Sequence, residues 1–132
     1  MSARHELEDV FCQYALAFDE GEPERYALVF AEDAELIAGE TTLSGRDAIV
    51  EMMTGRIAFR RGEGQQTRHV ITNILVEEET GSRARVRAYF SLPVTTGGSS
   101  VAVERTGWYL SDFARAPDGW RIVRHEMHGD QG

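Results

Sequence analysis

The hydrophobic repeat of this chain changes once, near its middle, from the three-to-four spacing of a helix to the two-residue alternation of a strand. That switch restricts the fold more than any single motif does. Helices first and strands after imply an α+β domain, with helices laid on one face of a mainly antiparallel sheet. Over 3–19, Leu7, Val10, Phe11, Tyr14 and Phe18 form one apolar helix face, and Gly21 stops the run. Pro23 is placed to open a second short helix carrying Tyr26, Leu28, Val29 and Phe30. AELIAGE (34–40) reads as a short strand. Ser44 with Asp47 resembles a capping box for a third helix through Ile49, Met52, Met53 and Ile57. RRGEGQQ (60–66) and TTGGSS (95–100) read as surface loops. From 67 onward the pattern is β: TRHVITNILVEE, RARVRAYFSLPV, SVAVERTGWYLSDFAR and WRIVRHEM, joined by turns at Thr80-Gly81 and Pro117-Asp118-Gly119. Three helices on one face of a curved sheet would enclose a pocket, the usual seat of a small ligand.

With 132 residues, 42% of them hydrophobic, the expectation is one domain over 1–132. A chain of this size buries about two thirds of its unfolded surface, enough for a real core. The net charge of −8 argues against nucleic-acid or anionic-membrane binding, since both need clustered positive charge. All 14 basic residues are Arg. The lone Cys12 excludes an intrachain disulfide and a Cys-based zinc cage. No apolar run approaches the ~20 residues of a membrane span, and MSARHELEDV does not read as a signal peptide. A cytoplasmic location is expected.

Four segments, taken in order, resemble the NTF2-like (SnoaL-like) α+β cone: YALAFDEGEPERYALVFAEDAEL (14–36), LSGRDAIVEMM (43–53), TRHVITNILV (67–76) and GWYLSDFARAPDGWRIVRH (107–125). This cone hosts isomerases, dehydratases, epoxide hydrolases, cyclases and non-catalytic dioxygenase subunits, so chemistry must be argued from the site. Within it, scytalone dehydratase, the bile-acid dehydratases and hexachlorocyclohexane dehydrochlorinase share an Asp–His dyad. Asp19 and His69 match those two positions. The chemistry suits the pair. A neutral imidazole is the usual base near pH 7 for taking a proton from carbon. An adjacent carboxylate fixes its tautomer and stabilises the imidazolium that forms. The competing reading is a solvated helix-end acid and a half-exposed strand histidine.

The resemblance also implies roles for Tyr14 and Arg124. Tyr14 stands where the bile-acid dehydratases and ketosteroid isomerase carry a phenol able to hydrogen-bond a developing oxyanion. Otherwise it is an ordinary core residue, and five positions on a helix is about 140°, so Tyr14 and Asp19 do not share a face. Arg124 falls where dyad members often carry a basic residue that could hold a leaving anion. Alternation on the last strand groups it with Trp120 and Ile122, which predicts an inward or partly buried side chain, with a structural ion pair as the competitor. Phe18, Met53, Ile71, Asn73, Tyr89 and Trp108 are expected pocket residues, most of them equally readable as core. His125 and His128, with Asp130 nearby, invite a metal reading, but i and i+3 on a strand face opposite sides, and no metal site is expected. Steroid-isomerase chemistry is disfavoured: Ala38 stands near the place of its base, and Arg105 or Thr106 near that of its second acid. No Asp-Arg-Asp epoxide-hydrolase set, phosphate loop or nucleophile elbow is found.

The resemblance thus implies a cofactor-independent lyase or isomerase in which His69 abstracts a proton from a small hydrophobic cyclic or polyketide-like substrate. It also implies a homodimer formed through the outer face of the sheet, with Trp108 or Tyr109 and the Arg-rich set of 83–87 on that face. The alternative is a non-catalytic protein: a small-molecule binder, or the small subunit of a ring-hydroxylating dioxygenase.

Overall fold

A computed structural model describes residues 2–130. Helix α1 (Arg4–Asp19) is followed by a 3-10 helix (Pro23–Leu28), strands β1 (Phe30–Ala38) and β2 (Thr41–Ser44), and helix α2 (Arg46–Gly62). Five further strands complete the order: β3 (Gln65–Thr67), β4 (Val70–Glu79), β5 (Arg83–Thr96), β6 (Ser100–Ala116) and β7 (Gly119–Gly129). The sheet order is β2-β1-β7-β6-β5-β3, with β4 also paired to β5. Every pairing is antiparallel except β1 with β7. The helices pack on one face of a curved, open sheet, which is the α+β cone architecture expected.

Helix α1 buries the predicted stripe, Leu7, Val10, Phe11, Tyr14 and Phe18, together with Ala17. Its face meets Tyr109 and Phe113 of β6, with the Phe11 ring edge-on to Phe113 at 5.5 Å. Gly21 ends the helix in the left-handed region at φ 71°, where a side chain would be strained. Helix α2 buries Ile49, Met53 and Ile57. Alternation on β5 puts Ala84, Val86, Ala88, Phe90, Leu92 and Val94 inward.

Several local expectations are corrected. The second helix is a 3-10 turn, with Leu28 more than half exposed. Ser44 closes β2 and does not cap α2, whose N-cap is Gly45 at φ 94°. Helix α2 runs on to Gly62, and β3 begins at Gln65, so little of 60–66 is loop. The β-run from 67 is interrupted at Arg68-His69, between β3 and β4.

Arg124 is a further correction. On β7, Val123 has no partner on β6: Ile122 pairs with Phe113 and Arg124 with Asp112. This bulge inserts one residue and reverses the side-chain alternation beyond it. Trp120 and Ile122 are buried, then His125 is buried and Arg124 points outward, its side chain 44% exposed and paired with Glu126 at 3.2 Å. The strand pattern places Tyr89 and Trp108 outward as well. Tyr89 is 55% exposed, and Trp108 stacks on His128 at 4.0 Å with Arg87 over its ring. Asn73 is exposed at φ 54°, beside an irregularity in the β4–β5 pairing, and Ile71 packs against the core. Tyr109, expected outside, is 1% exposed and faces the core. No helix among the described residues is long and apolar enough to cross a membrane.

Candidate active site

Asp19 is the last residue of α1, so its carboxylate leaves the helix end toward the β3–β4 break. Three donors converge on it. Thr67 Oγ1 donates to Oδ1 at 2.8 Å, and the His69 backbone N–H donates to Oδ2 at 2.7 Å. His69 Nδ1 lies 2.7 Å from Oδ1. The same helix end is tied to β3 by Gln66 Nε2, which donates to the Asp19 carbonyl at 2.9 Å. An ionised carboxylate only accepts, so the proton of a neutral His69 resides on Nδ1 and the lone pair on Nε2. Nε2 has no hydrogen-bond partner among the described residues, and His69 lines a partly open cavity. The side chains of His69 and Asp19 are 13% and 6% exposed. Holding this pair therefore requires the hydrogen bonds described, because a poorly solvated carboxylate is costly without donors.

The break in the strand is what makes this geometry. A continuous strand across 65–79 would present His69 only by alternation. With β3 ending at Thr67, the chain turns so that Thr67, the His69 amide and the His69 ring all face one carboxylate. Arg68 N–H keeps the break on the sheet by donating to the Pro93 carbonyl at 3.0 Å.

Tyr14, from an earlier turn of α1, and Phe18, next to Asp19, approach the His69 ring with ring centroids at 6.1 and 4.9 Å. Tyr14 and Asp19 need not share a helix face, because the imidazole spans the helix end, meeting Asp19 at Nδ1 and the two aromatic rings at its side. Burial pushes the Tyr14 phenol up to about 12, with the Tyr109 hydroxyl and the Arg56 charge offsetting part of that. It is a neutral hydrogen-bond donor throughout the physiological range.

The cavity has two adjoining chambers. The one at His69, termed the inner chamber for its place beside that residue, is about 480 Å³ and is lined by Tyr14, Phe18, Met53, His69, Phe90, Leu92 and Tyr109, with Arg60, Gln65 and Glu104 among its polar residues. The outer one, about 700 Å³, extends past Met52 toward Leu36, Ala38 and Thr106. Met53, Arg56, Phe90, Glu104, Arg105 and Met127 line both. These volumes are in the range that holds a small organic ligand. Arg60 of α2 clamps Glu104 of β6 with both Nη atoms, Nη2 lying 2.6 Å from Oε1, and so ties the helix to the sheet at the cavity wall.

Of the ten residues singled out from sequence, His69, Asp19, Tyr14, Phe18 and Met53 gather at the inner chamber, Asp19 from behind His69. Ile71, Asn73, Tyr89, Trp108 and Arg124 do not line it. Thr67, Arg56, Arg105 and Tyr109 were not among the ten. Thr67 could have been found from TRH itself, as a hydroxyl two residues before the dyad histidine. The others depend on which way β6 and α2 face.

Below this site lies a buried polar group. His125 is fully buried, its Nδ1 2.8 Å from Ser111 Oγ and its Nε2 without a partner. Its ring packs on Tyr109 at 4.5 Å and Tyr14 at 5.1 Å, and burial pushes its pKa down to about 3. His125 points inward and His128 outward, so the two imidazoles do not face a common centre.

The family model of the SnoaL-like domain matches residues 1–126. An uncharacterised protein of Mycobacterium tuberculosis (strain H37Rv) is 29% identical over 125 residues, covering 94% of this chain and 83% of that one. A crystal structure of an NTF2-like protein with a cystatin-like fold from Novosphingobium aromaticivorans superimposes with a TM-score of 0.85 at 27% identity, covering 98% of this chain and 82% of that one. A protein from the same organism, provisionally named a scytalone dehydratase, gives a TM-score of 0.83 at 22% identity over 97% of this chain and 84% of its own, a likeness of fold.

Proposed function

Because this chain belongs to the SnoaL-like family, whose fold does not dictate one chemistry, we propose from the site itself that it is a cofactor-independent lyase or isomerase. The observation that carries this reading is the Asp19–His69 contact at 2.7 Å, which leaves Nε2 as the accepting atom at the cavity wall. His69 Nε2 takes a proton from a carbon next to a substrate carbonyl. Asp19 holds the tautomer and stabilises the imidazolium, and Thr67 with the His69 amide keeps the carboxylate in line. The Tyr14 phenol, a neutral donor, hydrogen-bonds the enolate oxygen as charge builds on it. The enolate then expels a β-hydroxyl as water, the His69 imidazolium giving its proton to that oxygen, or takes the proton back from the imidazolium at another carbon. Arg124, outside the cavity, has no part in this scheme. A small hydrophobic cyclic or polyketide-like substrate suits the side of the inner chamber formed by Phe18, Met53, Phe90 and Leu92. The same reading includes a homodimer through the outer sheet face, where Val70, Leu75 and Tyr89 stand 41–56% exposed.

The test is deuterium wash-in at the α-carbon across a panel of cyclic β-hydroxy ketones. Catalysed exchange is expected, and His69→Ala is expected to lower it by about 10²–10⁴-fold, the usual contribution of a general base. Asp19→Asn should lose a similar amount, and the double variant little more, because one proton transfer needs both groups. Exchange undiminished in His69→Ala would show that another group takes the proton.

A further inference from the structure

Carboxylates outnumber arginines in this chain by 22 to 14, and most arginines are engaged. Among the described residues only Arg56, Arg68, Arg83 and Arg105 have neither a guanidinium hydrogen bond nor a carboxylate within 4.0 Å. Two of these four line both chambers of the cavity: Arg56 from α2 and Arg105 from β6. Their charges bear on the hydroxyls at the chamber floor, Arg56 on Tyr14 and Arg105 on Tyr109. The acid closest in sequence, Glu104, is already held by the two Nη atoms of Arg60. Arg56 and Arg105, both solvent-exposed residues, therefore line one cavity without a guanidinium hydrogen bond or ion pair among the described residues, although the Arg105 charge acts on neighbouring Glu104.

A guanidinium is weakly hydrated and presents planar forked donors that match an oxyanion. An unpaired pair of them beside apolar walls selects a ligand that is apolar at one end and anionic at the other. We propose that the substrate carries an organic oxyanion, a carboxylate or a phosphate, seated between Arg56 and Arg105, while its apolar body reaches the inner chamber and His69. This deepens, and rests on, the reading of that cavity as the substrate site. Met53, Phe90 and Met127 line both chambers as the two arginines do, and supply apolar wall beside them.

The experiment measures binding and needs no turnover. Wild-type protein is titrated at low salt with 2-naphthoate, 2-naphthyl phosphate and the neutral 2-naphthamide, by calorimetry and by amide chemical shifts. At least one of the two anions is expected to bind tenfold or more tighter than the amide, and the arm that does so identifies the head group. Arg56→Gln with Arg105→Gln should bring that anion to within about twofold of the amide and leave the amide unchanged. Arg83→Gln, an unpaired arginine away from both chambers, should change nothing. Anions that bind no tighter than the amide, a preference that survives in the double variant, or no saturable binding of any of the three up to millimolar concentration would each overturn the proposal. His69→Ala should keep the anion preference. Loss of deuterium exchange with the preference intact bears on the base alone, and loss of the preference with exchange intact bears on the arginine pair alone.

Discussion

Lowering the pH from 7 to 5 should weaken this fold through His125, by an amount that follows from its surroundings. The ring is fully buried against Tyr14 and Tyr109, with Ser111 Oγ on one nitrogen, nothing on the other, and no carboxylate within 4.0 Å among the described residues. Burial holds its pKa near 3 in the folded chain, against 6.5 for an ordinary histidine. A depressed pKa means that the unfolded chain binds the extra proton first. Stability is then complete above about 6.5 and falls as the pH drops from there toward 3. Over pH 7 to 5 the unfolded histidine goes from mostly neutral to almost fully protonated while the folded one stays neutral. At about 1.4 kcal/mol per pH unit this amounts to roughly 2 kcal/mol. That is a sizeable part of the ~5–15 kcal/mol by which a domain is usually stable. Urea unfolding at pH 7 and pH 5, at one protein concentration, compares the wild type with His125→Gln, whose amide can still meet Ser111 Oγ. Histidines 5, 69 and 128 are common to both chains, so their contributions cancel in the difference. The wild type is expected to lose about 2 kcal/mol more than the variant between the two pH values. Parallel losses would refute the reasoning, because they would mean that His125 gains its proton in the fold as easily as out of it.

Tyr14→Phe should reduce α-carbon exchange by at most about 10²–10³-fold, the worth of one oxyanion donor, without moving the pH at which the base titrates; a shifted pH–rate profile would give Tyr14 a part in proton transfer. Gly107→Ala should destabilise the fold by about 1–3 kcal/mol, read from urea midpoints, since a Cβ there would press on the His128 carbonyl and stand 2.8 Å from the Phe90 ring. Light scattering at micromolar concentration should give a mass near twice 14.8 kDa, and a value at 14.8 kDa would end the dimer reading.

The change of hydrophobic period determined the class of fold and the order of its elements, because burial on a helix repeats every three to four residues and on a strand every two, whatever packs against them. It also placed the apolar stripe of α1 and the inward set of β5. Asp19 and His69 were legible as a pair through resemblance, yet the contact between them belongs to the tertiary structure. It needs a strand broken at Arg68-His69 and a helix ended at Gly21, so that a carboxylate and an imidazole 50 positions apart in sequence come within 2.7 Å of each other. Arg124 shows the limit most plainly. Strand alternation read from sequence assumes an unbroken register, and one unpaired residue, Val123, turns every later side chain of β7 to the opposite face. That moves Arg124 out to Glu126 and brings His125 in against Tyr14. Arg56 and Arg105 carry no local signal at all. They line one cavity because α2 and β6 both border it, tied together there by Arg60 and Glu104, and only the folded chain decides which of its arginines are left without a partner.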